Sequence, residues 1–273
     1  MRVVYLGTSA FAATVLRALA RSHHEVALVV SRPDTRRGRG LRLHPPEVVT
    51  AAHELGLATS QPDDVNAKDA RERIAAAAPQ ALVVCAFGAL IREPLLSSFT
   101  ILNVHPSLLP RWRGAAPIER AILAGDTHTG VSIMRLTAGL DSGPVCMQQR
   151  VAIGPQEDYG ALAARLAELG GELIVRALDE RPPCVSQDES LATYAPKLTA
   201  QERRLDPSEP AAAQERRVRA LHPHIGAYVE LEDGSRLRVL EARAQGEQLE
   251  LVTVQPPGGR PMSYEAYLRG RRR

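Results

Sequence analysis

The chain has 273 residues, 44% of them hydrophobic and 24% charged, and its formal net charge is +3. These values are ordinary for a globular protein and exclude a disordered or fibrous chain, and the length favours one substantial α/β domain with a smaller appendage. The basic excess lies in residues 203–273, which carry 13 basic and 10 acidic side chains, whereas the preceding residues carry 21 of each.

Cysteine usage and hydropathy bear on the cellular compartment. Cys85, Cys146 and Cys184 are too few and too scattered for a disulfide framework, and none has the spacing of a zinc ligand. The amino terminus runs directly into a strand-like segment without a charged leader, and the chain has no run of about 18 apolar residues. We therefore expect a cytoplasmic protein in a reducing compartment, with no metal and no membrane contact.

The part of the chain before residue 181 alternates between short apolar runs and amphipathic stretches. Strands are predicted at 2–7, 25–31, 81–87, 101–105, 130–136 and 144–153. Helices are predicted at 11–21, 46–56, 66–77 and 159–180. Because near-continuous apolar strands separated by helices are typical of a buried parallel sheet, the pattern predicts an α/β fold with a Rossmann-like, mostly parallel sheet.

The sequence changes character after residue 183. Residues 184–203 are rich in proline, serine and charge and have little periodicity, which is typical of a linker. Beyond it we predict a helix at 211–221 and three strand-like stretches at 227–233, 234–244 and 247–255. The expected domains are therefore 1–183, a linker 184–203, and a small β-rich domain 204–273.

The turn after the first predicted strand reads GTSAFAATVL. A helix that begins just after a strand offers free N–H groups to an anion. However, the spacing does not match GxGxxG, so a dinucleotide site is not predicted. A nicotinamide oxidoreductase is therefore the weakest interpretation of the chain.

A polar pair lies at the end of the predicted strand 101–105, where the segment NVHPSLLPRWRGAAPI begins. Sites in open α/β sheets form at the carboxyl ends of strands, and alternate residues of a strand share a face, so Asn103 and His105 lie side by side. The Asn amide can hold a developing oxyanion, and the imidazole can move a proton near neutral pH. Taken alone, the pair is also compatible with a turn-forming Asn and a His without a role in chemistry.

The segment LTAGLDSGPV places Asp141 in a loop between two predicted strands, between Gly139 and Gly143. Glycines let the backbone bend tightly and approach a ligand. A carboxylate at this place can orient His105 and stabilise its imidazolium. An Asp-Ser-Gly turn is by itself a common loop element, so Asp141 gains meaning only in combination with the polar pair.

Residues 31–44 carry five arginines and one aspartate, a local charge of +4. The segment follows the second predicted strand, and the planar fork of arginine suits phosphate groups. The pattern predicts either contact with a phosphate-rich partner, including nucleic acid, or a basic surface loop. Four of the five arginines, Arg36, Arg37, Arg39 and Arg42, are the candidates for this contact.

Together these segments resemble the methionyl-tRNA formyltransferase family over nearly the whole chain. SLLPRWRGAAPI is similar to the folate-site signature of that family, and AGLDSGPV to its aspartate loop. RPDTRRGRG is similar to the loop that enters the acceptor arm of the tRNA, and VQPPGGRPMS to the end of the C-terminal domain. The resemblance implies a formyltransferase fold in which Asn103, His105 and Asp141 are catalytic and Arg39 is the most important arginine of the tRNA loop.

The resemblance also implies the substrates. The formyl donor is expected to be 10-formyltetrahydrofolate, and the acceptor is expected to be the α-amine of methionyl initiator tRNA, in a monomeric enzyme of translation initiation. The residues expected to contact the folate are Phe87, Ile91, Ser107, Leu108, Leu109 and Pro110. The residues expected to contact the tRNA are Arg36, Arg37, Arg39 and Arg42.

Two alternatives remain open at this point. The Asn, His and Asp set also occurs in folate-dependent formyltransferases that act on glycinamide ribonucleotide or on amino sugars, so an enzyme for an amino sugar nucleotide or another small amine is the alternative function. A catalytically silent RNA-binding protein on the same scaffold is an alternative from another class. The intact set of Asn103, His105 and Asp141 argues against it.

The tail departs from the family pattern. The resemblance implies an OB-like barrel of about five strands, yet only three strand-like stretches lie between Ala227 and Gln255. Three strands cannot close a barrel, and their open edges must be covered by other parts of the protein. We therefore expect a reduced, OB-like β-rich domain in which a small twisted sheet packs on the helix 211–221.

Overall fold

The computed structural model describes residues 1–37 and 42–271, and Arg37 is described through its backbone alone. In chain order its strands are β1 (Arg2–Gly7), β2 (Glu25–Val30), β3 (Thr35–Arg37), β4 (Arg42–His44), β5 (Thr59–Ser60), β6 (Ala81–Cys85), β7 (Ile101–His105), β8 (Arg113–Gly114), β9 (His128–Arg135), β10 (Val145–Ala152), β11 (Tyr194–Ala195), β12 (Ala227–Glu230), β13 (Arg236–Gln245), β14 (Gln248–Gln255) and β15 (Met262–Ser263). The helices are α1 (Ala10–Arg21), α2 (Glu47–Glu54), α3 (Lys68–Ala76), α4 (Leu95–Ser98), α5 (Pro117–Ala124), α6 (Tyr159–Glu180), α7 (Ala211–Leu221) and α8 (Tyr264–Arg271).

The chain forms two compact units, each assembled from three separate segments. The first comprises Met1–Arg113, Gly130–Arg150 and Ala164–Thr193. The second comprises Gly114–Thr129, Val151–Ala163 and Tyr194–Arg273. The division of the chain into 1–183, 184–203 and 204–273 stays a prediction.

A seven-stranded sheet in the order β10-β9-β7-β6-β1-β2-β5 forms the centre of the first unit. The strands from β7 to β5 in this order are parallel to one another, and β9 pairs with β7 in the antiparallel sense. Strands buried on both faces suit a parallel sheet covered by helices, which is why their sequences are almost wholly apolar. The predicted Rossmann-like, mostly parallel sheet is confirmed.

The strand order reverses between β1 and β6, so that the chain builds outward from this point in both directions. Ligands of open α/β sheets bind at the carboxyl edge at such a reversal. There the Thr8 hydroxyl, just after β1, donates a hydrogen bond of 2.8 Å to the carbonyl of Phe87, just after β6. Since β7 lies next to β6 and runs parallel to it, its carboxyl end opens at the same edge.

Two helices show how the sequence covers this sheet. Ser9 caps α1 by accepting a hydrogen bond from the backbone N–H of Ala12, and the apolar face of α1 is buried. Within α6, a Cβ at Gly170 would lie 2.9 Å from the Val104 side chain on β7, and a Cβ at Gly171 would lie 2.5 Å from the Cβ of Ala18 on α1. The two glycines therefore let α6 approach both β7 and α1 closely.

A buried apolar cluster packs against the sheet. It comprises Val4, Leu6, Leu28, Val30, Val65, Ile74, Leu82, Val84, Phe87, Ile91, Leu95 and Ile101. Alternate residues of β1, β2 and β6 contribute to it because side chains of a strand repeat on one face every second residue. This cluster anchors the strands whose carboxyl ends carry the polar residues described below.

The second unit contains a four-stranded antiparallel sheet in the order β12-β13-β14-β15. α7 packs on β13 and on α5, and the core comprises Leu205, Val218, Leu221, Ala227, Leu237, Val239, Ala242 and Val254. The expected small sheet on the helix 211–221 is present. The expected number of strands was too low by one, because the two-residue β15 pairs with Thr253 and Val254 and is too short to show a periodicity.

The segment 184–203, predicted as a linker, has local structure. It contains two short 3-10 helices, Glu189–Leu191 and Gln201–Arg203, and the strand β11. Its first part belongs to the first unit and its second part to the second. Among the helices that the structure describes, none combines the length and apolar character needed to cross a membrane.

Candidate active site

Asn103 and His105 lie on β7, in the middle of the sheet, and both are buried. They are alternate residues of one strand, as the sequence predicted, so their side chains share a face. Asn103 lies opposite Val84 of β6 and Met134 of β9. Within the described residues the Asn103 amide makes no hydrogen bond with another protein group.

The imidazole of His105 has two different neighbours. Its Nε2 lies 2.9 Å from the carbonyl oxygen of Trp112, and because a carbonyl can only accept, Nε2 carries a proton and donates it. Its Nδ1 lies 3.7 Å from Oδ2 of Asp141. The ring is therefore oriented by a backbone carbonyl on one side and faces a carboxylate on the other.

The position of the Trp112 carbonyl depends on an uncommon backbone conformation. Trp112 has φ 64°, in the left-handed region that bulky residues rarely adopt. Its N–H donates to the Thr193 hydroxyl over 2.9 Å, and the N–H of Arg113 donates to the Thr193 carbonyl over 2.9 Å. Thr193 thus holds the strained residue whose carbonyl orients His105.

Asp141 lies in the loop between β9 and β10, and its side chain is largely buried. Its φ of 45° is again left-handed, a conformation that Asp tolerates better than most residues. Gly143 is needed nearby because any Cβ there would collide with the carbonyl oxygen of Arg135. The structure therefore brings together Asn103, His105 and Asp141, the three residues predicted to form one site.

The loop 107–110 is held by a compact set of hydrogen bonds. The Ser132 hydroxyl donates to the Ser107 carbonyl over 2.6 Å and accepts from the N–H of Leu109 over 3.1 Å. The Gln148 amide donates to the Leu109 carbonyl and to the Ser132 hydroxyl, each over 2.8 Å. The Ser107 hydroxyl donates to the Arg111 carbonyl over 2.6 Å. These bonds make the loop a rigid wall beside His105.

A cavity of about 350 Å³ opens beside this loop. Leu109 and Pro110 line it, together with residues 145–148 and 185–188. A second cavity, of about 310 Å³, is lined by Ala81 and Thr100 and so lies at the amino ends of β6 and β7, away from the polar residues. The first cavity is the one that adjoins the site.

The apolar residues predicted to contact a ligand have different environments. Phe87 and Ile91 are buried in the core cluster, and Leu109 is buried in its loop. Leu90 and Leu140, by contrast, expose 69% and 57% of their surface. Neither leucine was predicted as a contact, although Leu140 lies within the segment LTAGLDSGPV and Leu90 directly precedes Ile91. Leu140 directly precedes Asp141 in the chain.

The basic segment forms a hairpin of β3 and β4, in which Arg36 lies opposite Leu43 and Arg37 opposite Arg42. Arg36 and Arg42 are exposed. Arg39 lies outside the described residues, as does the side chain of Arg37. The predicted role of these four arginines stays a prediction.

Three polar residues near Asp141 were not predicted. Arg113, whose side chain is only 2% exposed, donates to Gln187 and to Glu189 with distances of 2.7–3.0 Å. The hydrogen bonds from Arg113 hold the pKa of the Glu189 carboxyl below its usual range. Arg113 could have been predicted as a site residue, because it lies within the segment RWRGAAPI. Gln187 and Glu189 could not, because they lie in the predicted linker, whose sequence shows no recognisable pattern.

Cys146, at the start of β10, and Cys184, after α6, form a disulfide. The expectation of reduced, unpaired cysteines was therefore wrong for this pair. The fold brings them together because Val145 and Val185 pair through two backbone hydrogen bonds of 2.8 Å, which no sequence spacing indicates. Burial raises the pKa of the remaining Cys85 thiol to about 12, so this thiol stays protonated at neutral pH and is not a nucleophile.

The sheet, its carboxyl-edge site and a family profile together define the class. The sequence profile described as formyl transferase matches residues 1–178. The methionyl-tRNA formyltransferase of Halorhodospira halophila is 42% identical over 302 residues, which cover 99% of this chain and 96% of that protein. The protein is thus a formyl transferase by fold and profile. More particularly, the chain belongs to the methionyl-tRNA formyltransferase family.

Solved structures share the fold at low sequence identity. Methionyl-tRNA formyltransferase from Clostridium thermocellum is 14% identical, with a TM-score of 0.65, covering 94% of this chain and 99% of that chain. HypX from Aquifex aeolicus in complex with tetrahydrofolic acid is 16% identical, with a TM-score of 0.69, covering 98% of this chain and 47% of that chain. At these identities the likeness establishes a common fold.

Proposed function

We propose that this protein transfers the formyl group of 10-formyltetrahydrofolate to the α-amine of methionyl initiator tRNA, giving N-formylmethionyl-tRNA for translation initiation. The observation that carries the proposal is identity of about 40% to methionyl-tRNA formyltransferases along almost the whole chain. Asn103, His105 and Asp141, gathered at the carboxyl edge of the sheet, support it chemically.

In the reaction a bond forms between the amine nitrogen and the formyl carbon, and the bond between that carbon and the folate nitrogen breaks. The amine nitrogen attacks the formyl carbon, the formyl oxygen becomes an oxyanion, and the bond from carbon to the folate nitrogen then breaks. A proton leaves the amine and a proton arrives at the departing nitrogen. The formyl group is already activated by its bond to an aromatic amine, so the protein needs to stabilise the oxyanion and move protons.

Each residue of the site has a distinct part in this scheme. The free amide of Asn103 donates to the oxyanion. Because Nε2 of His105 is engaged by the Trp112 carbonyl, Nδ1 is the nitrogen that exchanges protons with the substrates. The Asp141 carboxylate, 3.7 Å from Nδ1, stabilises the imidazolium that forms during the transfer.

The donor and acceptor sites follow from the surroundings of the site. The exposed side chains of Leu90 and Leu140 suit the flat rings of a folate, together with Leu108, Leu109 and Pro110 of the rigid loop. The side chain of Ser107 points into its own loop, so its contribution would come through the backbone. The proposal places the donor against the loop backbone and these apolar surfaces and assigns no metal to the reaction.

We assign the tRNA to the basic hairpin and to the tail. Arg36 and Arg42 are exposed on β3 and β4, and Arg37 and Arg39 belong to the same basic segment, so their charges suit the phosphates of the acceptor arm. We retain 1–183 as the catalytic domain, 184–203 as its linker and 204–273 as a tRNA-contacting domain, in a monomeric cytoplasmic enzyme.

One assay tests the proposal. The purified chain is incubated with 10-formyltetrahydrofolate and, in separate reactions, methionyl initiator tRNA, methionyl elongator tRNA and an amino sugar nucleotide. Mass spectrometry of the acceptor then detects a gain of one formyl group. Formylation of the initiator tRNA alone is expected; formylation of the sugar nucleotide in place of the tRNA would overturn the proposal in favour of the alternative enzyme.

A further inference from the structure

The loop that carries Asp141 is fastened by a side chain from a distant part of the chain. The amide nitrogen of Gln187 donates to the carbonyl of Asp141 over 2.8 Å and to the carbonyl of Gly143 over 2.7 Å. The two carbonyls bracket the Asp-Ser-Gly turn. Since Asp141 has a left-handed φ of 45°, its backbone conformation needs support from its surroundings.

The orientation of the Gln187 amide is determined by Arg113. The Nε and Nη2 atoms of Arg113 donate to Oε1 of Gln187 over 3.0 and 2.8 Å. A guanidinium only donates hydrogen bonds, so the oxygen of the amide must face it and the amide nitrogen must face the loop. A flipped amide would place its NH₂ against Arg113 and its oxygen against two carbonyls, which costs several hydrogen bonds at once.

Arg113 is itself held from its other side. Glu189 accepts from Nη1 over 2.7 Å and from Nη2 over 2.8 Å, in the two-pronged geometry that suits a guanidinium and a carboxylate. Arg113 is almost fully buried, and its guanidinium is held by two hydrogen bonds to Gln187 and two to Glu189. The chain of contacts runs from Glu189 through Arg113 and Gln187 to Asp141.

The same short segment also orients His105. Trp112, which precedes Arg113, accepts the hydrogen bond of His105 Nε2 through its carbonyl. Trp112 therefore orients His105 directly, and Arg113 positions Asp141 indirectly, through Gln187. Nδ1 of His105 and Oδ2 of Asp141 lie 3.7 Å apart between these two supports.

We propose that Gln187 is a positioning residue for formyl transfer: it holds the Asp141 loop in the conformation in which the carboxylate faces His105, and Arg113 aligns its amide for this task. The inference rests on the proposed function, because it assigns Asp141 a part in the reaction. Gln187 acts through the Asp141 loop, where the carbonyls of Asp141 and Gly143 accept its hydrogen bonds.

The test is steady-state kinetics with methionyl initiator tRNA and 10-formyltetrahydrofolate. Gln187→Ala should lower kcat by about ten- to a hundredfold, the range expected when a reacting group is misplaced by about 1 Å, and should change either KM by less than about threefold. Gln187→Glu keeps the size of the side chain and an oxygen toward Arg113 but removes the NH₂ donor. It should lower kcat to a similar extent, and it decides the question if the alanine variant does not fold.

A double variant separates positioning from a general structural effect. In an Asp141→Asn background the additional loss from Gln187→Ala should shrink to about twofold or less, since residues that act as a unit are not additive. Gln80→Ala, at the amino end of β6 and exposed, is the matched control and should keep the activity of the wild type.

The results that would overturn the positioning role of Gln187 differ from those that would overturn the proposed function. A wild-type chain that formylates no tRNA overturns the proposed function. A wild-type chain that is active, with a Gln187→Glu variant within about twofold of it in kcat, overturns the positioning role. An undiminished effect of Gln187→Ala in the Asp141→Asn background overturns it as well.

Discussion

Two regions of this molecule use arginine in opposite ways. Arg113 is buried beside the site and donates hydrogen bonds to Gln187 and Glu189, whereas Arg36 and Arg42 are exposed on a two-stranded hairpin. A buried, hydrogen-bonded guanidinium determines geometry, while an exposed one offers charge to a phosphate. The comparison shows that a motif rich in arginine does not by itself identify ligand contacts, because burial decides which task the side chain performs.

The buried and the exposed arginines should also differ in which kinetic constant their substitution changes. Substitutions around Arg113 and the site should change kcat, because they alter how the reacting groups are held. Substitutions on the hairpin should change KM for the tRNA, because they alter encounter and binding alone.

The largest effect is expected at the site itself. Asn103→Ala and His105→Ala should each lower kcat at least about a hundredfold, since one removes an oxyanion donor and the other the proton-transferring group. The measurement is single-turnover formylation, with circular dichroism as the control for folding. A turnover near that of the wild type in either folded variant would remove that residue from the mechanism.

The second-largest effect is expected when the buried guanidinium of Arg113 is removed. This change should lower both the stability of the fold and kcat. Arg113→Met keeps much of the side-chain volume but leaves the Gln187 oxygen without its two donors, which costs about 1–3 kcal/mol. We expect a lower urea midpoint and a lower kcat, with KM for tRNA little changed. If Arg113→Met raised KM for tRNA and left kcat unchanged, Arg113 would act in tRNA binding as the hairpin arginines do. The distinction between buried and exposed arginines would then be wrong.

On the hairpin, Arg42→Ala should raise KM for methionyl-tRNA several-fold, leave KM for the folate unchanged and leave kcat almost unchanged. One phosphate contact fewer should also reduce the slope of log affinity against log salt by about one. The difference from the wild type should therefore shrink as salt is added. An equal loss for both substrates would indicate that the hairpin supports the fold and does not contact the tRNA.

The smallest effect concerns an ion pair in the second unit. Hydrogen bonds from Arg120 hold the pKa of Glu202 at about 2, below the ordinary 4.5. A carboxyl whose pKa is lower in the folded state stabilises the fold above its ordinary pKa, and this contribution is lost as the pH falls toward the folded value. Arg120→Met should therefore be less stable than the wild type at pH 6, and the gap should narrow at pH 3. A gap of equal size at both pH values in urea unfolding would contradict this assignment.

The amino-acid sequence by itself determined the class of fold and indicated all three polar residues of the site, Asp141 only in combination with Asn103 and His105. Apolar periodicity is a local property, so β1, β7, α6 and α7 have the predicted bounds within one residue. The placement of Asn103 beside His105 follows from the alternation of side chains along a strand, which needs no knowledge of other segments. The basic excess of the segment 31–44 was equally visible, because it depends on composition alone.

The tertiary structure alone decided the contacts between distant segments. Asp141 comes within 3.7 Å of His105, Gln187 fastens the Asp141 loop, and Cys146 bonds to Cys184, yet no local pattern encodes any of these pairs. The second unit likewise gathers α5 with α7 from separate parts of the chain, so a division of the chain by composition could not find it. Such contacts depend on how the strands are ordered in the sheet and on which backbone groups remain to be hydrogen-bonded, and both are settled only when the whole chain packs.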